Sequence, residues 1–322
     1  MPPSLIASQF IYDHLDRVPS CHASTIVELP NGDLAAAWYG GEHESSPDSS
    51  HYWARLRKGA DRWDAPQCLW DVPDHSAGNP RLFLDALQRL WAMLPVNYGK
   101  WCAGGTRFFY RTSDDAGETW SEPLRVAELD GLLGKNKALL LPDGDFLLPV
   151  TIEYDHSSAA VIHLAASGEW EVSAEIAGVK EESCIQPAFV ERGDGSVLAL
   201  LRTAEGHIWR ATSSDRGRMW SNAEPTALAN NHSGIDVVRL DNGHLVLAFN
   251  DTSTRARTPL CLAISEDDGE TWPHKIALET DEGEYSYPAV IQASDGVIHV
   301  TYTYLRTHIK HVALGEQAIL DG

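Results

Sequence analysis

The sequence SDDAGETW at residues 113–120 recurs as SSDRGRMW at 213–220 and as SEDDGETW at 265–272. All three copies follow the pattern S-x-D-x-G-x-x-W. An Asp side chain can accept backbone N–H bonds within a turn, and a glycine can take a positive φ without a steric clash. The closing Trp can bury a large apolar surface between neighbouring sheets. The pattern therefore predicts three β-hairpins of one kind in a repeating chain.

Eroded copies extend this series, because Trp63 and Trp170 end similar segments and bring the tryptophan spacing to roughly 50 residues. A second landmark, a turn followed by a strand, recurs in phase with the first. It lies at Gly32, Gly144, Gly195, Gly243 and Gly296, with a worn version near Leu87. The two landmarks together predict six units.

Each unit contains several short β-branched and aromatic runs between turn signals, which is typical of a four-stranded blade. We therefore predict an all-β fold, a six-bladed β-propeller that forms a single catalytic domain over residues 1–322. An all-β sandwich or a solenoid is the alternative. We expect the segment LIASQFIY, residues 5–12, to complete the last blade, since closing the ring removes an exposed edge.

The chain has 322 residues and a formal net charge of −21, which argues against binding to nucleic acid or to anionic membranes. Its beginning lacks the basic and apolar regions of a signal peptide, and we expect a cytoplasmic protein. The five cysteines lack CxxC spacing, so we expect scattered buried thiols. We expect no metal and no cofactor.

The strand that enters each glycine turn is the innermost strand of a propeller blade, and its beginning faces the axis. Counting back nine or ten residues from each glycine gives His22, Gln186 and Tyr287, and it gives Gly134 and Ser233 beside further polar residues. The polar residues beside Gly134 are Lys135 and Asn136, and the one near Ser233 is Asp236. In the worn unit the equivalent residue is Asn79. This polar ring predicts a ligand-binding funnel on the axis. A water-filled channel is the alternative.

Three arginines are candidates for the same funnel. Arg202 follows the strand VLALL, Arg257 lies in TRARTPLCLAISEDDG, and Arg306 lies in YTYLRTHIKH. The guanidinium fork binds a carboxylate through two hydrogen bonds and keeps its charge at any relevant pH. On such an acidic chain, an inward arginine pair would supply the local positive charge that an anionic ligand needs. Exposure to solvent is the alternative for each arginine alone.

The S-x-D-x-G-x-x-W hairpins are of the kind called Asp boxes. Together with the inner-strand spacing and the tail from Tyr285 onward, they resemble the sialidase (neuraminidase) superfamily, specifically its BNR-repeat branch. The resemblance extends from about Cys21 to the C-terminus. It implies three arginines on the substrate carboxylate, a Tyr nucleophile activated by a Glu, and an Asp as acid–base. By their spacing, Tyr287 matches the nucleophile, with Tyr285 as the adjacent candidate. Arg202 and Arg257 match the second and third arginines.

Two positions depart from the family pattern. His22 stands where the family has its first arginine, and Gln186, sixteen residues before Arg202 (202 − 186 = 16), stands where the family has the Glu. A neutral amide cannot take a proton from Tyr287 as a carboxylate does. We expect His22 to titrate near neutrality, which would let it act as an acid or a base.

The loop GGEHESSPDSSHYW, residues 40–53, is where the resemblance places the acid. Asp48 is the closest positional match, while Glu42 and Glu44 compete with it. An acidic solvated turn is the alternative for this loop. Tyr98 and Trp101, in VNYGKWCAGG, can stack on a sugar ring or pack between blades.

These features predict an enzyme that cleaves a glycosidic bond at an acidic sugar, most simply an exo-acting glycoside hydrolase on an acidic oligosaccharide or glycoconjugate. One alternative is a uronate lyase or a related rhamnosyl-glucuronate-cleaving enzyme, in which His22 supplies proton transfer. Another is a glycan-binding propeller without catalysis, which the amide at Gln186 favours.

Overall fold

The computed structural model describes residues 5–12, 15, 18–99, 105–153, 157–165, 169–172, 175–177 and 184–322, with residues 127–129 described by their backbone only. Within these ranges the chain forms β-strands in six antiparallel sheets and one short helix, α1 (Gln317–Leu320). The sheets are numbered here as blades 1 to 6 in chain order.

Four blades have four strands in simple up-and-down order. Blade 1 consists of β2 (Ser20–Glu28), β3 (Leu34–Gly41), β4 (Ser50–Leu56) and β5 (Gln67–Trp70). Blade 4 consists of β16 (Cys184–Glu191), β17 (Val197–Thr203), β18 (His207–Ser213) and β19 (Glu224–Ala229). Blade 5 consists of β20 (Asp236–Arg239), β21 (Leu245–Asn250), β22 (Leu260–Ser265) and β23 (His274–Glu279). Blade 6 consists of β24 (Tyr285–Gln292), β25 (Ile298–Tyr304), β26 (His308–Leu314) and β1 (Leu5–Phe10).

In the other two blades the innermost strand is split into two short pieces that pair with the same second strand. Blade 2 consists of β6 (Ser76–Ala77), β7 (Arg81–Leu84), β8 (Leu90–Asn97), β9 (Thr106–Ser113) and β10 (Leu124–Asp130). Blade 3 consists of β11 (Leu132–Leu133), β12 (Leu139–Leu140), β13 (Phe146–Glu153), β14 (Ser157–Leu164) and β15 (Trp170–Val172). The two interruptions contain Asn79 and Lys135, at the positions predicted to face the axis.

The blades close into a ring, because the inner strands of neighbouring sheets pack against one another and β2 meets β24 of the last blade. The N-terminal strand β1 adds to the outer edge of blade 6 by pairing with β26. Six of the seven apolar clusters among the described residues lie between neighbouring blades, one at each junction, and the seventh surrounds Tyr287. The predicted six-bladed propeller, closed by the N-terminal strand, is confirmed.

The three Asp boxes form the turns between the third and fourth strands of blades 2, 4 and 5. In the first, Asp115 Oδ1 accepts hydrogen bonds from the Thr119 N–H at 2.8 Å and from Ser113 Oγ at 2.7 Å. Gly117 has a φ of +84°, and a Cβ there would lie 2.3 Å from the ring of Trp53 in blade 1. The box therefore both closes its own turn and packs the blade against its neighbour.

No helix in the described ranges is long and apolar enough to cross a bilayer. Of the cysteines, Cys21, Cys184 and Cys261 are buried as predicted, whereas Cys68 is exposed. The prediction for Cys68 was wrong because the residue lies on β5, the outermost strand of its blade, whose outer edge has no further strand to cover it. Cys102 lies outside the described residues.

The buried His51 of β4 makes stability depend on pH. Its Nε2 lies 3.1 Å from the Gly78 carbonyl oxygen, and burial lowers the pKa of His51 to about 3. Between pH 6.5 and 3 this residue therefore binds up to one proton more in the unfolded chain than in the native chain. Stability falls in this window as the pH is lowered, by up to about 1.4 kcal/mol per pH unit from this residue.

We expect His51→Gln, which keeps a donor for the Gly78 carbonyl but does not titrate, to lose less unfolding free energy than the wild type between pH 7 and 4.5. Urea unfolding at both pH values measures the difference. His207→Gln, which replaces an exposed imidazole on β18, is the control and is expected to follow the wild type. Parallel losses in wild type and His51→Gln would contradict the prediction.

Candidate active site

A β-bulge turns Tyr287 toward the axis at the start of β24. The pairing of β24 with β25 shifts register between Ser286 and Ala289, and Tyr287 has a φ of +53°. The inner strands β16 and β2 bulge in the same way, with positive φ at Gln186 and Ala23. Bulges re-aim side chains, and non-glycine residues with left-handed φ concentrate at functional sites. The same kind of bulge thus directs side chains of the inner strands of blades 1, 4 and 6 toward the axis.

The Tyr287 hydroxyl oxygen accepts hydrogen bonds from two side chains of blade 4. Arg202 Nη1 donates at 2.7 Å and Gln186 Nε2 at 3.4 Å, while the same Arg202 nitrogen donates to Gln186 Oε1 at 2.8 Å. All three side chains are buried. Donors fixed around one oxygen in a water-poor site stabilise negative charge on it. The amide at Gln186 therefore contacts the predicted nucleophile as a donor.

Arg257 and Arg306 share one carboxylate, that of Glu284. Glu284 Oε1 accepts from Arg306 Nε at 2.7 Å, from Arg257 Nη1 at 2.9 Å and from Ser286 Oγ at 3.2 Å. The guanidinium carbons of Arg257 and Arg202 lie 5.5 and 5.7 Å from the centre of the Tyr287 ring. The structure thus brings together the predicted arginines and the predicted nucleophile.

Arg306 also joins the acidic loop of blade 1 to this site, because its Nη1 lies 2.6 Å from Glu44 Oε2. Glu44 is close to Tyr39 as well. Burial and then the charge of Glu44 raise the pKa of Tyr39 well above its ordinary value. Among the three acidic candidates of the loop, Glu44 is therefore the one whose carboxylate reaches the arginines.

The Asp48 carboxylate is hydrogen-bonded within its own loop. Its carboxylate accepts hydrogen bonds from Ser46 Oγ and from the Glu42 N–H at 3.2 Å. The side-chain bond from Ser46 is the main cause that holds the pKa of Asp48 below its ordinary value. These contacts tie Asp48 to its own loop, whereas Glu44 contacts Arg306. The assignment of the acid to Asp48 stays a prediction, and its competitor Glu44 is the candidate that the geometry favours.

His22 lies against the predicted nucleophile, and the ring centroids of His22 and Tyr287 are 4.2 Å apart. Its Nδ1 is 2.8 Å from Thr303 Oγ1, while its buried Nε2 has no hydrogen-bond partner within the described part of the chain. Burial, followed by the positive charges of Arg306 and Arg257, lowers the pKa of His22 well below its ordinary value. The expectation that His22 titrates near neutrality was wrong, because the imidazole is enclosed among cations and stays neutral.

Lys135 and Asn136, predicted to bind substrate, instead tie blades together. Lys135 Nζ donates to Asn136 Oδ1 at 3.0 Å, to the Ile235 carbonyl at 3.1 Å and to the Pro288 carbonyl. Those bonds use all three donors of the ammonium group. Asn136 Nδ2 donates to the Gln186 carbonyl at 3.2 Å. Neither side chain keeps a donor for a ligand.

Asp236 and Asn79 are used in the same manner. Asp236 Oδ2 accepts from Lys137 Nζ at 2.7 Å and from the Val290 N–H at 2.9 Å, which links blades 3, 5 and 6. Asn79 Nδ2 donates to the Gly134 carbonyl at 3.1 Å across the junction of blades 2 and 3. These two predicted substrate-binding residues are therefore corrected to structural links around the axis.

Two of the predicted aromatic residues pack against other side chains of the fold. Tyr285 is 2% exposed and packs in the apolar cluster between blades 5 and 6, 5.1 Å from the ring of Tyr304. It is therefore neither nucleophile nor ligand contact. Tyr98 packs within blade 2, where the guanidinium of Arg107 lies 4.2 Å from its ring centre. Trp101 lies outside the described residues.

Sequence reasoning missed Tyr39 and Glu284. It also missed the turn between β19 and β20 at residues 230–233, of which it named only Ser233. Tyr39 had a usable signal, because folding the hairpin about Gly32 pairs it with His22, and the two residues are cross-strand partners in β3 and β2. Glu284 lies three residues before Tyr287. Its role depends on two arginines that are distant in sequence, which no local pattern reveals.

The fold has six blades, three of which carry Asp boxes, and the site is a buried Tyr with arginines on its flank. Together they define a propeller of the sialidase superfamily. The model of the BNR repeat-like domain family matches residues 32–300. The chain belongs to this family.

Known proteins similar to this chain include the anhydrosialidase of Macrobdella decora, which is 24% identical over 221 residues. That match covers 60% of this chain and 29% of the curated relative's length. The Hadza microbial sialidase Hz136 superposes with a TM-score of 0.84 at 19% identity, over 97% of this chain and 69% of that one. A protein of unknown function from Dyadobacter fermentans DSM 18053 gives 0.83 at 19% identity, over 98% and 100%. At these identities the solved structures establish the fold.

Proposed function

We propose that the protein is an exo-acting glycosidase that cleaves the bond to an acidic sugar, with Tyr287 attacking the anomeric carbon. The observation that carries this proposal is the environment of the Tyr287 hydroxyl, which receives Arg202 Nη1 at 2.7 Å and Gln186 Nε2 at 3.4 Å. A Tyr held in this way suits attack by its oxygen: the new bond to the anomeric carbon forms as the bond to the leaving oxygen breaks, the hydroxyl proton passes to water, and both donors stabilise the negative charge that develops on the Tyr287 oxygen.

Arg257 and Arg202 would hold the substrate carboxylate, since their guanidinium carbons lie 5.5 and 5.7 Å from the centre of the Tyr287 ring. Arg306 adds positive charge next to Arg257. Glu284 offsets one of these three charges. The arginines therefore keep positive charge for a carboxylate on a chain whose net charge is −21.

Glu44 would protonate the leaving oxygen. Glu44→Gln is expected to lower kcat about 100-fold on a natural alkyl glycoside, since general acid catalysis typically supplies 10²–10⁴-fold. On the nitrophenyl glycoside of the same sugar, whose leaving group needs no proton, the loss should be only about threefold. Steady-state kinetics on the two substrates measures the contrast.

Glu42→Gln is the matched control for this test, because Glu42 lies two residues away in the same loop and is exposed. It is expected to retain wild-type kinetics on both substrates. Equal losses for Glu44→Gln and Glu42→Gln would assign the effect to the loop and contradict a proton-donating role for Glu44.

The proposed function is tested with a panel of sialosides, β-glucuronides and rhamnosyl-glucuronides incubated with wild type and Tyr287→Phe. Released reducing ends that disappear in Tyr287→Phe support the proposal. A product that absorbs in the near ultraviolet would instead indicate a lyase, which the neutral, weakly basic His22 disfavours. Saturable binding without any product would indicate a glycan-binding propeller and overturn the proposal.

A further inference from the structure

A turn between β19 and β20 contains three consecutive side chains with a buried polar atom that has no partner among the described residues. The atoms are Asn231 Oδ1, His232 Nε2 and Ser233 Oγ. Asn231 is 8% exposed and Ser233 is fully buried. Buried polar atoms in proteins are nearly always hydrogen-bonded, so three in succession call for an explanation.

The turn is held in place by its own side chains. Asn230 Oδ1 accepts from the Thr203 N–H and the His232 N–H, both at 3.1 Å. Asn231 Nδ2 donates to the Ala256 carbonyl. His232 has a φ of +61°, a left-handed conformation that costs energy in a residue other than glycine. The unpartnered polar atoms of Asn231 and His232 are therefore held in fixed positions before any ligand arrives.

Both anchors of the turn are sequence neighbours of the arginines beside Tyr287. Thr203 follows Arg202, and Ala256 precedes Arg257. The turn also continues into Gly234, where a Cβ would lie 3.4 Å from Cγ of Tyr287. The turn thus adjoins the nucleophile and the proposed carboxylate contacts on the side of blades 4 and 5.

His232 is neutral at this position. Burial, and then positive charges that include those of Arg202 and Arg257, lower the pKa of His232 to about 4. A neutral imidazole and an amide oxygen offer hydrogen bonds without charge. The fitting ligand group is therefore neutral and able both to donate and to accept, as a hydroxyl or an acylamino group is.

We propose that Asn231 and His232 form a hydrogen-bonding subsite that selects acidic sugars bearing a hydroxyl or acylamino substituent within reach of the bound carboxylate. This inference rests on the proposed function and goes beyond it, because it adds a selective contact to the charge-based recognition. Ser233, which is fully buried, takes part in the turn through its carbonyl, which accepts a hydrogen bond from Asn230 Nδ2 at 3.3 Å.

The test compares binding of three probes by ligand-detected NMR: tetrahydropyran-2-carboxylate, which has a ring carboxylate and no hydroxyl, glucuronate and N-acetylneuraminate. The wild type is expected to bind at least one of the substituted sugars about 10-fold more tightly than the bare carboxylate. His232→Gly removes the imidazole, and its fold is expected to persist because glycine tolerates the positive φ. This variant should lose most of the 10-fold preference and bind the bare carboxylate unchanged.

His207→Ala, which removes an exposed imidazole from β18, should keep the preference. If His232→Gly keeps the full preference while the bare carboxylate still binds, the subsite inference is wrong and the proposed function stands. If the wild type shows no preference for either substituted sugar, the subsite inference is equally wrong. If no probe binds to the wild type, the carboxylate site itself is wrong and both proposals fall.

Discussion

Tyr287→Phe is expected to lower kcat at least ~10³-fold, because removal of an enzymatic nucleophile typically costs this much or more. The substitution deletes only the oxygen that Arg202 and Gln186 contact and leaves the ring in place beside the arginines. Substrate affinity should therefore change by less than about threefold. The measurement is kcat on a substrate found with the glycoside panel, together with the Kd for its acidic sugar.

Tyr285→Phe is the matched control for this prediction. Tyr285 lies two residues away on the same strand, but its ring packs in the apolar cluster between blades 5 and 6. This variant should keep kcat within about twofold of the wild type. An active Tyr287→Phe enzyme, or equal losses in both variants, would remove Tyr287 from the role of nucleophile.

The propeller was predictable from the sequence because its decisive features are local. In an Asp box, Asp115 and Ser113 bond to groups within six residues, and Gly117 supplies a positive φ at one position. Such short-range requirements leave a readable pattern, and its period gives the number of blades. The closing strand β1 was predictable for a different reason, since an unpaired outer edge on blade 6 would be unfavourable.

The core of the candidate site was also predictable. The distance from a glycine turn back to the bulge of the inner strand is constant, which places Gln186 and Tyr287 at one level of the axis. Only the spacing, and no contact, had to be known. His22 precedes its bulge residue, Ala23, by one position, and it still lies against Tyr287.

What each axial residue does could not be predicted, because the answer depends on partners from distant blades. Lys135 is bonded to carbonyls of Ile235 and Pro288, more than 90 residues along the chain, and nothing near Lys135 in sequence reveals them. The choice between Asp48 and Glu44 depends similarly on Arg306, which enters from blade 6. His22 was assigned the wrong protonation because its pKa follows from burial and from those same distant arginines.

Arg257→Met is the second substitution with a large expected effect, and it should raise KM about 100-fold while kcat changes by less than about threefold. A hydrogen bond to a charged group contributes roughly 1.5–3 kcal/mol, and a paired contact to a carboxylate loses the upper part of this range. The carboxylate is bound equally in the ground state and in the transition state, so the loss falls on KM. Steady-state kinetics on the same substrate measures both constants.

The fold should survive this change, because Glu284 keeps its bonds to Arg306 at 2.7 Å and Ser286 at 3.2 Å when Arg257 is lost. Arg255→Met is the matched control, since Arg255 lies two residues away with an exposed side chain, and its KM should stay within about threefold of the wild type. A fall in kcat without a change in KM would mean that Arg257 acts on the transition state alone. In that case the carboxylate would have to be held by Arg202 and Arg306, and Glu284 would serve to keep Arg306 in place.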